Sequence, residues 1–205
     1  MQTDGGSVDW NERYLARGAD AVSWFQAAPS MSLELVELLD VPTDAPVVDV
    51  GGGASTLVDE LLHRRYEHVS VVDLSDAALQ LARDRVGSDD RAAWMVADIL
   101  DWQSDRPYGL WHDRAVFHFL VRRGDQRRYV ESMRANLRPG AGVIIGTFAA
   151  DGPTECSGFP VARYDVDALI GALGDGLRVV ASRREEHVTP WGTIQPFTWL
   201  AGTYL

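Results

Sequence analysis

The chain has 205 residues, 46% of them hydrophobic and 24% charged, and thirty acidic against nineteen basic residues leave it at −11. That length and balance suit one sizeable domain with a proper core. The acidic excess argues against a nucleic-acid partner, which needs a basic stripe, and the short pairs Arg122-Arg123, Arg127-Arg128 and Arg183-Arg184 read as solvated faces.

A single cysteine, Cys156, excludes an internal disulfide framework and fits a reducing cytoplasm. No apolar run reaches membrane-spanning length, and the polar stretch from Met1 to Ser7 does not read as a signal peptide, so the expectation is a cytoplasmic protein with no membrane partner. Its five histidines show no HxH or HExxH spacing, so no metal site is expected.

Residues 1–45 are expected to form a helical, aromatic lid segment, and residues 46–205 a single core domain. Trp10, Arg13, Tyr14, Leu15, Trp24 and Phe25 make the first part aromatic, and a helix is expected from Ser32 through Leu33, Leu35, Val36, Leu38 and Leu39. Trp10 and Tyr14 either staple this segment to the core or cover a bound ligand. Pro42 and Pro46 bracket the way into Val47-Val48-Asp49-Val50, a buried strand that runs straight into Gly51-Gly52-Gly53. Ala54, Leu57, Val58, Leu61 and Leu62 then repeat at helical spacing. A strand, a glycine turn and a helix start in that order let a ligand approach backbone, because glycine carries no Cβ and accepts positive φ.

Val69 to Leu74 reads as a second strand, followed by a helix capped by Ser75, with Ala78, Leu79, Ala82 and Val86 apolar and Gly87 closing it. Ala92 to Ala97 is a third strand ending at Asp98, and Tyr108 to His112 a fourth ending at Asp113. Asp125 opens a helix that Arg138-Pro139-Gly140 should stop, and Val143 to Phe148 is a fifth strand. Tyr164 to Leu173 reads as a helix; Leu177 to Val188 and Ile194 to Tyr204 are strands too closely spaced for a helical crossover, so they must pair antiparallel. The fold class is therefore α/β: an open, doubly wound, mostly parallel sheet with an antiparallel C-terminal hairpin.

In such sheets a ligand sits beyond the carboxyl ends of the strands, and Asp49, Asp73, Asp98 and Asp113 occupy those ends. Asp73 is placed to accept both hydroxyls of a ribose. Asp98 is placed to accept from an adenine amino group, with Leu74 and Ile99 flanking the ring. A dinucleotide fingerprint would carry glycine where Thr56 stands, and a pyrophosphate gains nothing from Asp49 beside the turn, whereas an adenosyl ligand with an amino-acid tail does. The cofactor expected is S-adenosyl-L-methionine.

These stretches resemble the class I S-adenosylmethionine-dependent methyltransferases over residues 10 to 205. Asp49-Val50-Gly51-Gly52-Gly53 is similar to the family's first motif, Val72-Asp73-Leu74 to its ribose-binding acid, and Ala97-Asp98-Ile99 to its adenine-binding acid. Trp10-Asn11-Glu12-Arg13-Tyr14 and Trp111-His112-Asp113-Arg114-Ala115 resemble segments of the thiopurine methyltransferase branch. Ser55 departs from the pattern, since many members carry a further glycine there. The resemblance implies a seven-stranded sheet and a methyl transfer, with the cofactor held by Asp49, Gly51, Gly52, Gly53, Asp73, Leu74, Asp98, Ile99, Asp113, Trp10 and Tyr14. His118, directly after the fourth strand, is the candidate general base; packing among aromatics is its alternative role. Acceptor specificity is expected in the N-terminal aromatics and the loop from Ala149 to Pro160, with Cys156 a bystander. The acceptor is expected to be a small molecule; a protein lysine N-methyltransferase and a non-catalytic cofactor-binding module are the alternatives.

Overall fold

The computed structural model describes residues 2–3, 6–7, 10–17 and 22–205. Seven strands form one sheet: β1 (Val47–Val50), β2 (Val69–Asp73), β3 (Ala92–Val96), β4 (Tyr108–Arg114), β5 (Leu137–Phe148), β6 (Leu177–Val188) and β7 (Ile194–Tyr204). Their spatial order is β6-β7-β5-β4-β1-β2-β3. The first five run parallel, and β7 is antiparallel to both of its neighbours. The chain winds outward from β1 to β2 and β3, then returns to lay β4 on the other side of β1. The crevice between β1 and β4 is thus the switch point at which such sheets bind ligands.

Both faces of the sheet are covered, which is why the central strands are continuous apolar runs. On one face α2 (Ser30–Leu38), α3 (Leu57–His63) and α4 (Asp76–Val86) contribute Leu35, Leu61 and Leu79 to a core with Phe197 and Trp199. On the other, α5 (Arg123–Asn136) and α6 (Val166–Leu173) bring Tyr129, Met133 and Leu169 against Trp111 and Ile145. A further helix, α1 (Trp10–Arg17), lies over α4, where the Asn11 side chain accepts from the Ser75 hydroxyl at 3.0 Å and the Ala77 amide at 3.1 Å. Across β1 and β4, Asp49 pairs with His112 and Val50 with Asp113. Successive side chains alternate faces, so Asp49 and His112 share the α2 side while Asp113 lies on the α5 side.

Several boundaries differ from the sequence expectation: α2 and α5 start two residues early, at Ser30 and Arg123, β4 runs on to Arg114, and three further shifts have a clear cause. The helix after the glycine turn begins at Leu57 rather than Ala54, because the Ser55 amide closes a turn on the Gly52 carbonyl at 2.6 Å and the Ser55 hydroxyl accepts from the Leu57 amide at 3.1 Å. α5 passes directly into β5 at Leu137, and Pro139 is accommodated where the β4–β5 ladder is irregular, between the pairs Leu137–Tyr108 and Gly142–Leu110. A proline is tolerated there because no ladder bond needs its missing N–H. α6 starts at Val166, with the Asp165 carboxylate capping the Ala168 amide, and Tyr164 instead bridges to Ala149. Among the described residues no helix is long and apolar enough to cross a membrane.

Candidate active site

A cleft of about 780 Å³, counted to its open mouth, lies beyond the carboxyl ends of β1, β2 and β4. Its floor is the glycine turn. Gly51 has φ +64°, and a Cβ built on it would stand 2.0 Å from Val116 Cγ2; Gly53 has φ +41°, and its Cβ would stand 2.9 Å from an Asp73 carboxylate oxygen. A side chain at either place would strain the backbone and fill the approach to Asp73.

Asp73 ends β2 and faces the cleft, its Oδ1 accepting from the Ser75 amide at 2.8 Å. Burial pushes its carboxyl up to about 7, against the pull of the Ser75 amide, and the neighbouring charge of Asp49 adds to the rise. Leu74, Asp98 and Ile99 line the same wall, and the Asp98 carboxylate accepts from the Leu100 amide at 3.0 Å. Trp10 and Tyr14 line the opposite side. Trp10 stands edge-on to Phe119 at 5.4 Å and to Trp24 at 6.0 Å, and the Trp24 indole donates to the Tyr14 hydroxyl at 3.0 Å. The roof is therefore an aromatic cluster clamped to α4 through Asn11.

Asp49 sits one layer deeper. It is 2% exposed, and its Oδ1 meets His112 Nδ1 at 2.7 Å, while His112 Nε2 meets the Ser32 hydroxyl of α2 at 2.9 Å. An imidazole that donates from Nδ1 to the Asp49 carboxylate can accept from the Ser32 hydroxyl at Nε2. Ser32 is itself buried, so this chain orients Asp49 rather than presenting a nucleophile. The other oxygen, Oδ2, has no partner among the described residues and lies 2.5 Å from where a Gly52 Cβ would be.

Asp49 and Gly52 line a second hollow beside the cleft rather than the cleft itself, and Gly53 touches it only through Asp73; Asp113 and His118 are brought to neither hollow. Asp113 is fully buried on the α5 side and accepts from the Tyr129 hydroxyl at 2.5 Å, the Val116 amide at 2.9 Å and the Phe117 amide at 3.1 Å. Its task is to cap the 3₁₀ turn Phe117–Phe119, and sheet alternation carries it away from the ligand. His118 is likewise fully buried, with its ring 4.6 Å from both Phe119 and Phe148. Burial first, and then the nearby Arg114 charge, lower its pKa to about 3. A general base works best with a pKa near the operating pH and must reach the substrate; His118 does neither, and the aromatic-packing alternative describes it.

Arg114, Trp24, Phe119 and Cys156 also line the cleft; the sequence reading placed Trp24 in the lid segment and Cys156 as a bystander, and gave Arg114 and Phe119 no ligand role. Arg114 follows His112 by two residues on β4, so strand alternation alone places it on the ligand side. Burial pushes the Cys156 thiol up to about 11, which keeps it protonated.

The glycine floor, the acid at the end of β2 and the crevice at the switch point define a Rossmann-like domain with a ligand cleft at the carboxyl ends of its strands. Residues 47–140, a little under half of the chain, match the family model described as methyltransferase domain. The chain is 29% identical over 169 residues to the methyltransferase GfsG of Streptomyces halstedii, an alignment covering 80% of this chain and 55% of that protein. The chain spans about half the length of the curated relatives it matches. Among solved structures it resembles the N-methyltransferase NodS of Bradyrhizobium japonicum in complex with S-adenosylhomocysteine, with a TM-score of 0.73, 18% identity and coverage of 94% of this chain and 95% of that one. It also resembles the 1,6-didemethyltoxoflavin-N1-methyltransferase of Burkholderia thailandensis, with a TM-score of 0.68, 18% identity and coverage of 94% and 81%. At those identities the likeness is one of fold.

The residues present fit S-adenosylmethionine, the cofactor expected from the sequence. The turn is stripped of side chains where a ligand would cross it, and Asp49 holds an unpartnered oxygen below it.

Proposed function

We propose that this protein transfers a methyl group from S-adenosyl-L-methionine to a small-molecule nucleophile. The observation that carries the reading is the Asp73 carboxylate aimed into a glycine-floored, aromatic-roofed cleft at the switch point of the sheet. When bound, the cofactor supplies an electrophilic methyl carbon on a sulfonium. In this reading Asp73 accepts from the ribose hydroxyls, Asp98 takes the adenine amino group, and Leu74 and Ile99 hold the ring between them. The turn Gly51–Gly53 lets the ligand lie against backbone, and the unpartnered Asp49 oxygen faces the ammonium end of its tail. Trp10, Tyr14, Trp24 and Phe119 exclude water and confine the acceptor so that its nucleophile stands in line with the methyl carbon. Positioning of that kind is worth roughly 7–11 kcal/mol of barrier.

No general base is required of this site. The cleft thiol is held at about 11, the phenol of Tyr14 is raised by burial well beyond the physiological range, and Asp73 is committed to the ribose. The acceptor is thus a neutral amine, a thiolate or a group that ionises by itself, because a base adds only about 10²–10⁴-fold where one is needed.

The small-molecule assignment over a protein substrate draws on the enclosure. Trp10 reaches across to Phe159 with ring centroids 6.2 Å apart, so the aromatic roof leaves a pocket rather than an open trough. The test is to incubate the protein with methyl-labelled S-adenosylmethionine and separate small-molecule and protein fractions of a lysate. Label confined to small solutes is expected; label in a protein band moves the assignment to a protein methyltransferase, and cofactor binding without turnover to a non-catalytic module.

A further inference from the structure

Arg114, the last residue of β4, is charged, half-buried and short of partners. Its Nη1 donates to the Trp24 carbonyl at 2.7 Å, and its guanidinium carbon lies 4.9 Å from the centre of the Phe197 ring. Nε and Nη2 are enclosed by protein and have no partner among the described residues. The nearby carboxylates Glu185 and Asp49 favour its charge from a distance, but neither pairs with it directly. The Glu185 oxygens instead accept from the Gln26 amide at 2.7 Å and the Trp199 indole at 2.8 Å. Asp49 gives one oxygen to His112, and Cys156 stays a thiol. Burial lowers the guanidinium to about 10, so it remains a cation at neutral pH.

Enclosed guanidinium donors without an acceptor are costly in general, and chains keep such groups where something else completes them. Arg114 lines the main cleft and also a second hollow of about 540 Å³ that opens beneath Gly51 and Gly52 and contains Asp49, His112 and Ser32. The two unused donors, Nε–H and Nη2–H, point the same way as a side-on fork, the geometry that takes both oxygens of a carboxylate.

We propose that Arg114 is a carboxylate-binding residue whose Nε and Nη2 fork anchors one of the two ligands of the reaction at the junction of these hollows. The identity of those two ligands rests on the methyltransferase reading; the anion site does not. The carboxylate has two possible sources. One is the amino-acid tail of the cofactor, whose ammonium would then meet the unpartnered Asp49 oxygen in the same hollow. The other is an acidic acceptor held against the aromatic wall.

The experiment is calorimetry on the full chain and on Arg114→Met and Arg114→Lys. Three probes are used: S-adenosylhomocysteine, 5′-deoxy-5′-methylthioadenosine (which lacks the amino-acid tail), and benzoate added to protein saturated with S-adenosylhomocysteine. Loss of about tenfold or more in S-adenosylhomocysteine affinity, with methylthioadenosine unchanged, supports the proposal and assigns the carboxylate to the cofactor. Unchanged S-adenosylhomocysteine affinity, with benzoate binding present in the parent and lost in both variants, supports it and assigns the carboxylate to the acceptor. Unchanged affinity for both adenosyl compounds, with no benzoate binding or equal binding in parent and variants, overturns it. Thermal melts monitor folding, and if Arg114→Met does not fold, Arg114→Lys, which keeps the charge and loses the fork, carries the test. A parent chain that binds no adenosyl compound refutes the methyltransferase reading instead, and benzoate binding without cofactor then still reads the anion site.

Discussion

Asp73→Asn should strengthen the protein and weaken its grip on the cofactor at once. Burial raises the carboxyl from its ordinary 3.8 to about 7, about three units at 1.36 kcal/mol each, so an ionised Asp73 costs the folded state at most about 4 kcal/mol. Water in the open cleft reduces this, and about 1–2 kcal/mol is the expected net cost. Asparagine keeps an oxygen for the Ser75 amide and removes the charge. In a domain of this size that gain corresponds to roughly 2–8 °C in Tm at pH 8. The sign follows from the raised pKa: the folded state holds its proton longer than the unfolded chain, so the parent loses stability as pH rises from about 4 to about 7. The variant lacks this loss, and the gap in Tm should open across that window and stay constant above it. The loss of charge-assisted hydrogen bonds to a ribose, about 1.5–3 kcal/mol, should weaken S-adenosylhomocysteine binding roughly tenfold to 150-fold. Parent affinity should rise with pH up to about 7 and then level, while the variant's stays flat. Thermal melts and calorimetry at pH 5, 6, 7 and 8 read both effects. A variant that binds as tightly as the parent, or melts lower at pH 8, refutes the reasoning.

Three further substitutions probe the rest of the site. Gly51→Ala combines a left-handed backbone with a Cβ driven into Val116, which should cost about 2–5 kcal/mol; urea unfolding with an unshifted midpoint contradicts this. His118→Phe replaces one buried ring by another between Phe119 and Phe148. Stability should change by about 1 kcal/mol or less and S-adenosylhomocysteine affinity by about twofold or less; a tenfold loss of affinity would return His118 to the ligand site. Asp113→Ala strips the acceptor from the Tyr129 hydroxyl and two amides, and about 3 kcal/mol or more of stability should go with it. Calorimetry on the fraction still folded should find cofactor affinity close to that of the parent.

The architecture was legible because it is written in periodicities. Continuous apolar runs marked the buried strands, and the short connection from Thr189 to Thr193 required the hairpin that pairs β6 with β7. The same reasoning misplaced boundaries wherever a side chain competed with the backbone pattern. The Ser55 hydroxyl holds the first turn back to Leu57, and Asp165, not Tyr164, starts α6. Ser55, which breaks the family's glycine pattern, does its work through that hydroxyl.

The site was legible only to the level of the strand end. An aspartate closing a parallel strand is near the ligand, but whether its carboxylate reaches the ligand depends on which face of the sheet its Cβ takes, a matter of one residue of register. Asp49 and Asp113 look equivalent as sequence, yet the pairings Asp49–His112 and Val50–Asp113 send them to opposite faces. One lies beneath the glycine turn and the other braces the turn that follows β4. The same parity carries Arg114 to the ligand side with His112, and turns the chain through Ala115, at φ +70°, so that His118 faces the aromatic core. Charge could not be read from residue type either. Arg114 is conspicuous because no carboxylate pairs with its Nε and Nη2, while Glu185 and Asp49 turn to Gln26, Trp199 and His112, partners from distant parts of the chain. A residue whose importance lies in what its neighbours have already spent emerges only once those neighbours are assembled around it.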